Sequence, residues 1–210
     1  MKNLEAIADP IRASLAAKNL ARDRALERSR TLIRHCAHAI RAVHRDEREA
    51  AREHIGQARV VAESLRHDLA PFPDLYHAGY TQDALKEFAE ANIVYAITGG
   101  EQLPAPEAIG VDHAAYLNGL GEAAGELRRR CLDIIRHDHS EEAERLLAAM
   151  DDIYALLVTV DYPDAITGGL RRTTDMVRGV TERTRGDLTT SLRQQRLQEA
   201  LKRYEEDRHD

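Results

Sequence analysis

The stretch DALKEFAEANIVYAI, from Asp83 to Ile97, decides the fold of this 210-residue chain. Its apolar side chains recur at steps of three and four residues, which is the spacing of a helix that packs along one side. Two carboxylates, Glu87 and Glu90, lie three residues apart in this pattern, so they are neighbours on one helix face. The stretch predicts a packed helix with a carboxylate pair, which could bind a divalent cation or could form a solvated edge.

The composition of the whole chain favours helix over sheet. The sequence has 6 Pro, 12 Gly, 4% aromatic residues and no Trp, and helix-forming residues dominate it. No period-two run is long enough for a sheet. We predict an all-α fold, a bundle of about seven helices in one domain over residues 1–210, with residues 1–20 as a helical N-terminal extension and residues 203–210 as a frayed tail.

Membrane and export signals are not apparent in the sequence. No stretch has the roughly 20 apolar residues that span a bilayer, and the first 20 residues lack the continuous apolar region of a signal peptide. Cys36 and Cys131 stand singly in helical patterns, which indicates neither a disulfide framework nor a zinc site. We expect a soluble cytoplasmic protein without a membrane partner.

Charge is distributed unevenly along the chain. A formal net charge of -6 argues against a nucleic-acid-binding protein only if the charge is evenly spread. Residues 22–45 hold seven Arg and three His against Asp23 and Glu27. The basic stripe on the predicted helix over residues 25–44 could follow a phosphate backbone, or it could be a solvated face paired with acidic neighbours.

Further carboxylates fall in apolar patterns later in the chain. Glu122 and Glu126 are four residues apart on one predicted helix, and they form a second potential pair. Asp151 and Asp152 interrupt an apolar run, and whichever of them faces the interior needs a cation, a hydrogen bond or water. Residues 137–139 (HDH) look like a metal site, but a helix junction of this kind is expected to be solvent-exposed.

Four stretches of the chain resemble the translin superfamily. Residues 51–55 (AREHI) resemble the AREHF of translin, and residues 86–91 (KEFAEA) resemble the QEYVEA of translin-associated factor X. Residues 116–128 contain YLNG and GELR, which are similar to motifs of both branches. Residues 150–154 (MDDIY) lie where the factor X branch has VYDGF, although Ile153 stands where that branch has Gly.

The resemblance implies a seven-helix fold, assembly into a hollow octamer, and binding of single-stranded RNA or DNA. In the factor X branch the two acids of the QEYVEA motif are catalytic, and translin lacks them. Carried over, Glu87 and Glu90 match the first two catalytic acids and Asp152 matches the third, with Asp151 as its replacement if the register shifts by one. Glu126 matches a shared acid near the same cavity.

These acids, Glu87, Glu90, Asp152 and Glu126, would together make the oxygen-rich site that Mg²⁺ or Mn²⁺ favours. Basic residues of the first and last helices would hold the strand by its phosphates, and the leading candidates are Arg34, Arg41, Arg171 and Arg172.

Three functions are compatible with these patterns. The first is a divalent-metal-dependent endoribonuclease that cleaves single-stranded RNA within a hollow homo-oligomer. The alternative is a non-catalytic single-stranded RNA- or DNA-binding protein similar to translin. A ferritin-like oxidoreductase is disfavoured because its site needs Glu-x-x-His on two helices, and the three-residue steps from Glu87, Glu126 and Glu141 reach no His.

Overall fold

The computed structural model of the protein describes residues 3–136 and 140–207. All regular secondary structure in these two ranges is helical, which confirms the predicted all-α bundle. The nine helices of the described ranges are α1 (Leu4–His44), α2 (Arg48–Leu69), α3 (Pro73–Tyr76), α4 (Gly79–Gly99), α5 (Pro106–Ile109), α6 (His113–Ile135), α7 (Ser140–Val158), α8 (Asp164–Thr167) and α9 (Leu170–Glu206). Across these residues, no helix combines the length and the apolar character that crossing a membrane requires.

Helix α1 is continuous through 41 residues, so the predicted N-terminal extension belongs to the same helix as the basic stripe. Pro10 lies within it. The first half of α1 carries apolar side chains that are at least half exposed, and we call these residues the N-terminal apolar stripe: Leu4, Ile7, Ile11 and Leu15. The second half is packed, with Leu32 and Cys36 completely buried. Asp46, at a left-handed φ of 59°, follows the end of the helix.

The described part of the chain divides into two compact units. The first unit comprises Met1–Tyr95 and Pro104–Gly119. In it α1 packs along α2, and α2 ends at Leu69, as Pro71 and Pro73 in the sequence predict. Its largest fully buried side chains are Leu32, Leu65, Leu69, Leu85, Phe88 and Ile93.

The second unit comprises Ala96–Leu103 and Leu120–Asp210. In it α7 packs along α9, and Met150 and Val177 are completely buried. Gly121 of α6 allows a close approach, because a β-carbon at this position would lie 2.2 Å from Cγ2 of Thr173. A glycine in a helix interior costs about 1 kcal/mol relative to Ala, and this close packing offsets that cost. The single-domain organisation stays a prediction.

Candidate functional site

The carboxylate pair lies on the most deeply buried helix of the first unit. Glu90 is only 7% exposed, and Glu87 is half-buried. Every residue from Phe88 to Ala96 is buried, so this part of α4 has no solvated face. The solvated-edge interpretation therefore does not hold for Glu90.

Helix α1 faces this pair through Cys36. Burial raises the pKa of the Cys36 thiol far above its ordinary value, and the charges of Glu87 and then Glu90 raise it further. A charge raises the pKa of a thiol appreciably only when the two groups are close and little water lies between them. The pair thus lies beside a buried thiol in the interior of the unit.

Helix α6 approaches the pair closely at Gly119. A β-carbon at Gly119 would lie 2.7 Å from the carbonyl oxygen of Lys86 and 3.0 Å from the backbone nitrogen of Glu90. No side chain fits in that space, so only glycine lets the two backbones approach this closely. The neighbouring Asn118 is buried, and its Nδ2 donates to the carbonyl oxygen of Ala114 in the preceding turn.

One turn after Gly119, the same continuous helix carries Glu122. One carboxylate oxygen from each of Glu87, Glu90 and Glu122 lies within 4.8 Å of the other two. Glu90 is buried and the other two are half-buried. Three carboxylates with oxygen-only donors suit a hard divalent cation such as Mg²⁺ or Mn²⁺. From the sequence, Glu122 was predicted only as a partner of Glu126 and was not assigned to the site. The signal that could have identified it is its position one turn after Gly119.

The other acids predicted for the site lie elsewhere or have other neighbours. Glu126 is half-buried, and its carboxylate lies 3.8 Å from the Arg129 guanidinium. Asp152 is exposed on α7, whereas Asp151 forms an ion pair of 2.6 Å with Arg185. None of these acids is a member of the three-carboxylate group. Their roles in catalysis and metal binding stay predictions.

The arginines predicted to contact nucleic acid are all exposed. Within the described ranges Arg34 makes no hydrogen bond or ion pair, whereas Nε of Arg41 donates to the carbonyl oxygen of Ala37 in its own helix. Arg171 forms an exposed ion pair of 3.1 Å with Asp161, and Arg172 is exposed beside it. Surface pairs of this kind contribute little to stability, so they exchange readily for a phosphate.

Other members of the basic stripe are less available. Arg28 is half-buried and paired with Asp68 of α2, so it links the two helices. The His137, Asp138 and His139 cluster, which resembled a metal site in the sequence, lies outside the described residues.

The fold and the site define a class of protein: an all-helical bundle whose interior carries a cluster of carboxylates. No protein-family model matches the chain. The chain is 33% identical over 193 residues to an uncharacterized protein of Methanocaldococcus jannaschii, MJ0175, and the match covers 91% of this chain and 85% of that protein.

Solved structures show the same fold. A structure of AfC3PO in complex with duplex RNA has a TM-score of 0.80 and 30% sequence identity, and the match covers 88% of this chain and 95% of that chain. A crystal structure of AfC3PO has a TM-score of 0.81 at 29% identity over 88% and 96% of the two chains. Apo-NeC3PO shares the fold at 20% identity, with a TM-score of 0.79 over 88% and 96% of the two chains. The chain belongs to the translin superfamily.

Proposed function

We propose that this protein binds RNA and cleaves single-stranded RNA in a reaction that depends on a divalent metal. The observation that carries the proposal is the carboxylate group on α4 and α6, Glu87, Glu90 and Glu122. The AfC3PO structure that contains duplex RNA supports RNA as the ligand class. Structural similarity alone does not define an activity, so the proposal depends on the chemistry of these acids.

The donor set fits Mg²⁺ or Mn²⁺ as the cofactor. Both ions prefer carboxylate oxygens, and Mg²⁺ commonly binds through one or two carboxylates and completes its shell with water and substrate phosphate. When bound, such a metal acidifies an attacking water and neutralises negative charge at a phosphodiester. In this chain Glu87, Glu90 and Glu122 would hold it, and Asp152 remains a proposed third catalytic acid.

The protein groups have separate tasks in this proposal. Glu90 would provide a buried ligand, whereas half-buried Glu87 and Glu122 would leave access for substrate. Exposed Arg34, Arg41, Arg171 and Arg172 would contact phosphates and hold the strand without reading its sequence. We also propose assembly into a homo-oligomer, with an octamer as the expected size, in the cytoplasm.

The test is cleavage of an end-labelled single-stranded RNA by purified protein, with Mg²⁺, with Mn²⁺ and with EDTA. The variants are Glu87→Gln and Glu90→Gln, which retain side-chain size and remove charge. Glu63→Gln, at an exposed position of α2, is the matched control. A duplex of the same sequence, run in parallel, measures the preference between single and double strands.

The expected result is metal-dependent cleavage that falls at least about a hundredfold in Glu87→Gln and Glu90→Gln, with Glu63→Gln unchanged. RNA affinity, measured in EDTA, should remain within about twofold in all three variants because the acids do not contact phosphate without metal. Affinity without cleavage in every condition would reject the nuclease and support the alternative, a non-catalytic RNA- or DNA-binding protein. Equal loss of binding and cleavage would show that the pair is structural.

A further inference from the structure

Three histidines come together on the α1 and α2 surface of the first unit. The rings of His38 and His54 have centroids 5.1 Å apart, and those of His35 and His54 are 6.0 Å apart. His35 and His38 are three residues apart on α1, and His54 lies on α2. His38 is exposed and the other two are half-exposed, so solvent and ligands reach all three rings.

Two arginines flank these rings on α1. Burial lowers the pKa of His35, and the positive charges of His54 and Arg34 lower it further. Desolvation also lowers the pKa of His38, followed by the charges of Arg41, His54, His35 and Arg34. We call these five residues the histidine–arginine cluster. The charges of Arg34, Arg41 and His54 all act on His38, so these side chains lie near its ring.

The acidic residues around the cluster lie on α2 and α4. On α2, Nδ1 of His54 lies 3.3 Å from Oε1 of Gln57, and Gln57 in turn donates to Glu53 at 3.3 Å. Glu53 is thus an acidic group that is linked to the cluster through Gln57, and Glu49 lies one turn before it on the same helix. The α4 acids Glu87 and Glu90 act on Cys36, two residues from His38 and so nearly opposite to it on α1.

A bare cation is a poor ligand for this surface, because two guanidinium groups would repel it. An anion is attracted by both guanidinium groups and gains a hydrogen-bond donor from each imidazole that is protonated. For His35 and His38, burial first and then the neighbouring positive charges lower the pKa and so disfavour the protonated ring. A bound phosphate has the opposite effect on the pKa of a neighbouring imidazole, since its negative charge favours the protonated ring.

We propose that the histidine–arginine cluster is a proton-coupled phosphodiester-binding site, in which the imidazoles take up protons as a nucleic-acid phosphate binds beside Arg34 and Arg41. This rests on the proposed RNA binding. The arginines bind phosphate at any physiological pH, and the histidines add contacts as the pH falls. Affinity for RNA therefore rises as the solution becomes more acidic.

The test is fluorescence anisotropy with a labelled oligouridine at constant ionic strength in EDTA, from about pH 8 to about pH 5.5. Wild type should gain at least about tenfold in affinity over this range, because one or two additional phosphates are neutralised. The double variant His38→Gln/His54→Gln should change less than about twofold over the same range. The control is His67→Gln, at an exposed position of α2, and it should behave like wild type.

A second measurement keeps the inference testable if the double variant does not fold. In NMR spectra of wild-type protein, the ring signals of His35 and His38 should titrate at higher pH when oligouridine is added, and the ring signals of His67 should not change when it is added. A double variant with the pH profile of wild type, or ring signals that do not respond to RNA, would overturn the inference. No binding at any pH would instead reject the proposed function, since the arginines alone should bind the strand at about pH 8.

Discussion

The backbone nitrogen of Glu90 lies only 3.0 Å from the position that a β-carbon on Gly119 would occupy. The residue type at position 119 therefore sets the separation of α4 and α6 at the point where the carboxylates meet. Replacing Gly119 with Ala should push the helices apart and destabilise the protein by about 1–3 kcal/mol, the usual cost of overpacking. Metal-dependent cleavage should fall by more than the loss of folded protein explains.

Gly125 provides the matched control for that prediction because it lies in the same helix with nothing within 4 Å of its would-be β-carbon. Gly125→Ala should stabilise the protein by up to about 1 kcal/mol through helix propensity alone. Chemical denaturation of both variants measures these changes. Equal effects at the two glycines would contradict the close approach of α4 and α6.

Arg48 joins α2 to the end of the buried segment of α4. Its guanidinium lies 3.9 Å from the ring centroid of Tyr95, and both terminal nitrogens donate to the Tyr95 carbonyl oxygen at 3.2 Å. Arg48→Ala should cost about 1–3 kcal/mol of stability through the lost stacking and hydrogen bonds. Arg52→Ala, which removes a 3.2 Å bond to the Tyr95 hydroxyl and an exposed 3.7 Å ion pair with Glu49, should cost less than half as much in the same denaturation experiment.

Metal binding should be visible in the stability of the protein, independently of any activity. At a Mn²⁺ concentration about 100 times the Kd, the free energy of unfolding should rise by about 2.7 kcal/mol because the folded state alone presents the three acids together. Glu90→Gln should lose this increase, and Glu63→Gln should retain it. Differential scanning calorimetry with and without the metal checks the prediction. A similar gain in Glu90→Gln would place the metal elsewhere.

The buried thiol of Cys131 should make the folded protein less stable at alkaline pH. Burial, followed by the charge of Glu142, raises the pKa of this thiol from an ordinary 9.0 to about 11. The unfolded chain therefore ionises first, and its stabilisation lowers the free energy of unfolding as the pH rises from about 9 to about 11. Cys131→Ser cannot ionise in this range, so its pH dependence should be flatter than that of wild type. Parallel curves for the two proteins would show that the thiol does not contribute.

Periodicity predicted most of the fold because helices leave a regular apolar pattern. It located the helix with Glu87 and Glu90, the end of α2 before Pro71, and the long last helix from Leu170. It could not show that α1 runs unbroken from Leu4, since the exposed apolar residues there resemble a separate packed helix. The four-residue helices α3, α5 and α8 are too short to show a period.

The site was less predictable than the fold. Spacing within one helix brings Glu87 and Glu90 together, but it cannot say which residue of another helix meets them. Glu122 and Glu126 lie one turn apart on the same helix. Only the packing of α6 against α4 at Gly119 determines that Glu122, and not Glu126, meets the pair. For Asp151 and Asp152 the apolar run predicted that whichever of them faced the interior would need a partner, whereas the ion pair of Asp151 with Arg185 depends on the position of α9.

The N-terminal apolar stripe predicts where subunits join if the protein is a homo-oligomer. Leu4, Ile7, Ile11 and Leu15 follow the three- and four-residue steps of a coiled-coil seam, and all are at least 50% exposed. Replacing Ile7 and Ile11 with Gln should shift the protein to smaller species in light-scattering measurements. Exchanging Val60, which is 67% exposed on α2, for Gln is the control and should leave the mass unchanged. If the mass also stayed unchanged after Ile7 and Ile11 were replaced together, the subunits would have to meet at another surface.

The unbroken course of α1 has a consequence for how the protein responds to dilution. Its first half gains little from burial within its own subunit, and a helical segment of that length is only marginally stable in water. In the proposed homo-oligomer, contact with a neighbouring subunit would supply the missing stabilisation, so the order of residues 4–20 would depend on protein concentration. Backbone amides there should exchange hydrogen quickly in dilute solution and slowly in concentrated solution, while those around Leu32 remain protected at both concentrations. A higher protein concentration would thus stabilise this helix by mass action, as added ligand stabilises the protein that binds it.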